Sequence, residues 1–127
     1  MAVISVFSIS CNDKNNCSAG TGGTFNIAAF PKHHDSAIYS QPNYLDTAYV
    51  KFNTQSFPGT SPSDYDLVIA GEEGEDHLHI ENLQCGDYFI YMSGWDTSHN
   101  ERVKGGIPYS LPENGPLDVD VVVPVTE

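Results

Sequence analysis

Positive charge is scarce in this sequence. Five lysines and arginines stand against 17 aspartates and glutamates, a formal net charge of −12 over 127 residues. Nucleic acid needs clustered basic side chains to meet its phosphates, and an anionic lipid surface needs the same, so neither is an electrostatic partner. The apolar stretch Ala2–Ile9 falls far short of the about 20 residues that cross a bilayer as a helix. No window of a dozen residues repeats apolar side chains at the helical period, which argues against a helical bundle. A Gly-x-Ser-x-Gly elbow and a phosphate-cradling glycine loop are both missing, so the common hydrolase and nucleotide signatures are absent.

What is present is alternation. Phe25, Ile27 and Ala29 face one way in Thr24–Phe30, which Pro31 is expected to end, leaving Lys32–Ser36 as a polar connection. Ala37–Ser40 is a short strand candidate before the break at Gln41-Pro42-Asn43. Asp46–Asn53 alternates through Ala48, Val50 and Phe52, and Tyr65, Leu67 and Ile69 mark another strand. Leu78, Ile80 and Leu83 alternate with His77, His79 and Glu81, and after a turn at Gln84–Asp87 an aromatic strand follows to Ser93. Gly94–Asn100, which carries Trp95, reads as a loop, and Val103–Leu111, with Gly105, Gly106 and Pro108, as an irregular edge strand. Val119, Val121, Val123 and Val125 close the chain as a half-buried strand. About seven short strands divided by Gly/Pro turns predict an all-β antiparallel sandwich. An immunoglobulin domain would place tryptophan between two cysteines, whereas Trp95 follows both Cys17 and Cys85.

The N-terminus resembles the end of a bacterial lipoprotein signal peptide: small residues precede Cys11 and a polar segment, Asn12–Asn16, follows it. The pattern departs at Ser8, where leucine is usual, and no basic residue precedes the apolar run; VISVFSI also has the composition of an edge strand. The resemblance implies that residues 1–10 are a signal remnant, that Cys11 is the lipidation site, and that 11–22 form a lipidated tether before a domain at 23–127. Cys17 and Cys85 are then left either as a disulfide in an oxidising compartment or as two free thiols.

Leu83, Gly86 and Tyr88, within HIENLQCGDYFIYMSGWD, resemble the strand–turn–strand signature of transthyretin-like (prealbumin-like) modules, a group that includes carboxypeptidase-regulatory-like and collagen-adhesin repeats. The resemblance spans about residues 23–125 and implies a seven-stranded Greek-key sandwich in an exported protein, with no particular activity.

Chemistry centres on histidine. His77 and His79 lie two apart on one strand face, with Cα atoms about 6.5–7 Å apart. Imidazoles at that spacing suit one transition metal, copper or zinc, with His33 or His34 as a third ligand and Asp35, Asp76 or Glu81 as a carboxylate. Successive strand residues point oppositely, so His33 and His34 join one site only if their connection bends. Four ordinary exposed histidines, or a carboxylate–imidazole network, would give the same sequence. Glu72–Asp76 reads as a solvated turn rather than a calcium loop. Asp96, Ser98 and His99 share a loop, whereas a catalytic triad is usually assembled from separate segments. The tyrosines and Trp95 would form a carbohydrate or peptide platform if several were exposed together. The expectation is a non-catalytic binding or structural module of the cell envelope (outer membrane, periplasm or surface), touching the membrane only through its lipid and meeting a protein or small-ligand partner. The alternative is an envelope protein binding copper or zinc through His77, His79, His33 and His34.

Overall fold

A computed structural model describes residues 17–127, so the signal remnant 1–10 and the lipidation site Cys11 lie outside the described residues. The chain folds as two sheets built from β1 (Thr21–His33), β2 (Ser36–Ala37), β3 (Thr47–Phe52), β4 (Leu67–Ala70), β5 (Leu78–Leu83), β6 (Gly86–Asp96), β7 (Glu101–Leu111) and β8 (Asp118–Pro124). Among the described residues a 3-10 turn, Pro62–Asp64, interrupts the β structure. Among the described residues no helix is long and apolar enough to cross a membrane.

In the first sheet β1 is central. It pairs antiparallel with β5 and, at its far end, with β2. Its other side carries β8 in parallel, from Asn26↔Asp118 to Lys32↔Pro124, where the sequence suggested antiparallel pairing throughout. The second sheet runs β4-β3-β6-β7, all antiparallel. Between the sheets lies the core: Phe25, Ile27, Ala29, Leu78, Ile80, Val121 and Val123 from one side, and Ala48, Val50, Ile90, Met92 and Val103 from the other. Asn82, at φ 60°, absorbs one extra residue in β5 and lets Leu83 rather than its neighbour turn inward.

Three segments depart from the sequence reading. Pro31 does not end β1. The Lys32 carbonyl accepts from Val125 on the β8 side and the Pro31 carbonyl from Ile38 on the opposite side, so the missing Pro31 N–H faces the gap where β5 has stopped and β2 has not yet paired. The strand continues to His33, and that residue stays in the inward row. Trp95 belongs to β6, because β6 and β7 pair without interruption from Gly86↔Leu111 to Asp96↔Glu101, Gly105, Gly106 and Pro108 included. As an edge strand, β7 can carry a proline whose missing donor no neighbouring strand needs. The tether is also shorter than expected, since Thr21 and Gly22 already lie in β1.

A disulfide joins Cys17 to Cys85 in the turn before β6, and Ala19 packs against Gly86, where a Cβ would come within 2.5 Å of the Ala19 nitrogen. Tyr88, fully buried, donates its hydroxyl to the Gln84 carbonyl and accepts the Gly20 N–H, which locks the same turn. With the cysteines separated by 68 positions in sequence, the bond stabilises the fold by about 4 kcal/mol through the entropy of the unfolded chain. Urea unfolding with and without reductant measures this; a loss of about 4 kcal/mol is expected on reduction, and an unchanged midpoint would show that the bond contributes nothing.

Candidate functional site

At one end of the sandwich the inward rows stop being apolar. Along β1 the row runs Phe25, Ile27, Ala29, Pro31, His33; along β6 it runs Tyr88, Ile90, Met92, Gly94, Asp96. Strand geometry therefore delivers an imidazole and a carboxylate into the space between the sheets. They meet there: His33 Nδ1 lies 2.6 Å from Asp96 Oδ2, with His33 only 2% exposed and Asp96 4%. Glu127, just past β8, lies 2.7 Å from His33 Nε2 through Oε1.

Two hairpin loops complete the cluster. His34 and Asp35, at φ 52° and 65°, form the two-residue turn between His33 and Ser36, the conformation that matches strand twist. The bend brings the His34 ring to 4.1 Å from that of His33, the condition under which neighbouring histidines share one site. In the β6–β7 loop, Asp96 Oδ1 accepts from the Ser98 hydroxyl at 2.6 Å and backbone N–H at 2.9 Å, and from the His99 N–H at 3.3 Å. That turn folds His99 back, so its Nδ1 lies 3.0 Å from Asp96 Oδ2 and its ring 5.3 Å from that of His33. One carboxylate thus holds the Nδ1 side of two imidazoles, while the His33 Nε2 is hydrogen-bonded to Glu127, so a metal ion taken up there displaces the proton between them. Two sets of ligand atoms fall within 4.8 Å of one another: His33, His99 and Glu101, and His33, His34 and Glu127.

The charges fit this arrangement. The Ser98 hydroxyl, followed by His33, holds the Asp96 carboxyl well below the usual range. The hydrogen bond that His33 donates to Asp96 raises the imidazole, against the lowering effect of burial and with further help from Glu127. Glu127 is lowered by its own backbone N–H and then by His33. Asp96, Ser98 and His99 do not form a catalytic relay: the Ser98 hydroxyl lies 3.1 Å from the same His99 Nδ1 that Asp96 occupies, whereas a relay uses opposite ring nitrogens.

The four histidines named from the sequence are divided. His77 and His79 do meet, ring centroids 4.9 Å apart, but His77 Nδ1 is taken by Asp76 at 2.8 Å, and no set of three close ligands among the described residues includes either ring. The reason is longitudinal: His79 pairs with Ala28 of β1, and His33 lies five residues further on, about 16 Å along the strand. Asp35 and Glu81 belong to neither ligand set. Sequence reasoning missed His99, Asp96, Glu101 and Glu127 as a group. The available signal was parity: 33, 96 and 127 each continue an inward row, and reading Pro31 and Trp95 as breaks concealed it.

Compared with protein-family models, curated proteins and solved structures, the chain matches none.

Beside the cluster lies an isolated acid. Asp46, 1% exposed, continues the inward row of β3 opposite Gly94, where a Cβ would sit 2.6 Å from Asp46 Oδ1. Neither carboxylate oxygen has a partner among the described residues, and the nearby Ser40 hydroxyl oxygen accepts Asp46's own N–H. Burial pushes this carboxyl from the usual 3.8 up to about 7, with Ser40 acting downward and Asp76 upward. The folded state therefore holds the proton more tightly than the unfolded chain. Stability falls as pH rises from about 4 to about 7, by an amount on the order of 4 kcal/mol. Asp46→Asn removes the titration: thermal unfolding at pH 8 should show a gain of about 2 kcal/mol or more over wild type, and at pH 4 almost none. An equal effect at both pH values would contradict the assignment.

Proposed function

We propose that this chain is a non-catalytic, exported β-sandwich module that binds a transition metal ion, zinc or copper, at the end of its sandwich. One observation carries the reading: His33, buried and oriented by a carboxylate behind its Nδ1, presents Nε2 to Glu127, with His34 and His99 folded in from two loops. Nitrogen and carboxylate ligands within 4.8 Å of one another suit tetrahedral zinc or a copper site. Asp96 is the positioning carboxylate that such sites place behind a ligating imidazole. Export is supported by the Cys17–Cys85 disulfide, a bond typical of oxidising compartments, and by the lipoprotein-like pattern ending at Cys11. The transthyretin-like reading of the sandwich draws support from Leu83 and Tyr88, both fully buried around the Gly86 turn.

Calorimetric titration with Zn²⁺ and Cu²⁺ tests the site. His34→Ala and His99→Ala alter exposed loop residues, so the fold is retained. The expected result is stoichiometric binding to wild type, weakened at least tenfold in the double variant, and no change in His79→Ala. Equal affinity of wild type and the double variant would sink the reading; loss in His79→Ala alone would move the site to the His77/His79 pair.

A further inference from the structure

The outer face of the β4-β3-β6-β7 sheet carries a second constellation, remote in kind from the histidine cluster. Tyr49 and Tyr91 face each other across β3 and β6, ring centroids 5.9 Å apart, and Tyr44 flanks them. On the adjoining edge strand Arg102 and Lys104 stand two residues apart on the same face, Lys104 directly across from Ser93. Together these six line a cavity of about 400 Å³, within the range of small-ligand clefts. Tyr91 is anchored by burial, its ring packed on those of Phe57 and Tyr65. Next to it, Tyr44 also packs on Trp95, 5.7 Å between centroids, so the aromatic surface continues beyond the cavity.

The charge is the unusual feature. The chain has five basic residues in all, and two of them are placed at this one cleft. Both are exposed, and neither lies within 4.0 Å of a carboxylate among the described residues, although acidic side chains outnumber basic ones 17 to 5. Two unpaired cations beside flat aromatic rings and hydroxyls set out three demands on a ligand. It must be anionic, it must offer a flat apolar face for stacking, and it must carry hydroxyls. A peptide of acidic side chains meets only the first. A uronic acid meets all three: its carboxylate pairs with the guanidinium in a fork, its pyranose C–H face lies on tyrosine, and its hydroxyls reach Ser93 and the phenols.

We infer that the Tyr44–Tyr49–Tyr91–Arg102–Lys104 cleft binds an acidic saccharide of the uronate type. Local charge complementarity commits the site to that occupant, since among the described residues Arg102 and Lys104 have no carboxylate partner and stand beside the tyrosine rings. The inference is independent of the metal reading.

Trp95, the only tryptophan, lies across from Arg102 and packs on Tyr44, and so reports occupancy by fluorescence. The titration uses the disulfide-bonded protein with trigalacturonate at low salt in EDTA, which removes metal bridging. Saturable quenching is expected, with at least tenfold weaker binding in Arg102→Gln/Lys104→Gln and in Tyr44→Ala, each checked for unchanged thermal unfolding. Neutral maltotriose should also bind at least tenfold more weakly. Absence of saturable binding, or equal affinity in the double variant, overturns the proposal. So does a tetraglutamate peptide binding as tightly as trigalacturonate, which would make the cleft a site for acidic peptides.

Discussion

Burying a carboxylate away from water costs several kcal/mol unless its oxygens are satisfied, and the buried Asp96 carboxylate is satisfied completely. Oδ1 takes the Ser98 hydroxyl and the loop N–H groups, while Oδ2 takes the imidazoles of His33 and His99. The loop shape, the inward position of His33 and the folding back of His99 all answer to that one charge. The opposite end of the molecule is closed by covalent and neutral means, the Cys17–Cys85 bond and the Tyr88 hydroxyl between the Gln84 carbonyl and the Gly20 N–H.

The contrast with Asp46 is informative because the two acids occupy equivalent places, inward positions at the ends of adjacent strands. Asp96 has donors for both oxygens and is driven strongly toward the anion. Asp46 has none and is driven toward the neutral acid. Burial alone does not set the ionisation of a carboxylate; the donors that share its cavity do. A sheet that keeps one unsatisfied acid next to a fully satisfied one gives up stability near neutral pH, a pattern familiar where polar groups are retained for reasons other than folding.

Alternation made most of the sandwich readable. Ala48 and Val50 in β3, Leu78 and Ile80 in β5, and Val121 and Val123 in β8 are buried as their period of two requires, and His79 is exposed between its buried neighbours. The histidine cluster was hidden for a local reason. A proline in a strand ordinarily signals its end, because it removes a ladder donor, yet Pro31 falls between the end of the β5 pairing and the start of the β2 pairing, where its carbonyl alone is used, by the Ile38 N–H. A strand that ends at Pro31 leaves His33 in a loop, and its pairing with Asp96, 63 residues away, has no local signature.

By itself the sequence determined the fold class, the acidity, and the inward row along the middle of most strands, because these follow from side-chain period and composition, which are properties of neighbouring residues. The tertiary structure decided which strand ends meet. Parallel pairing of β8 on β1 and the stacking of two sheets bring positions 33, 96 and 127 to one point and leave 77 and 79 elsewhere. Such encounters depend on register and sheet order across many tens of residues, and no local pattern encodes them.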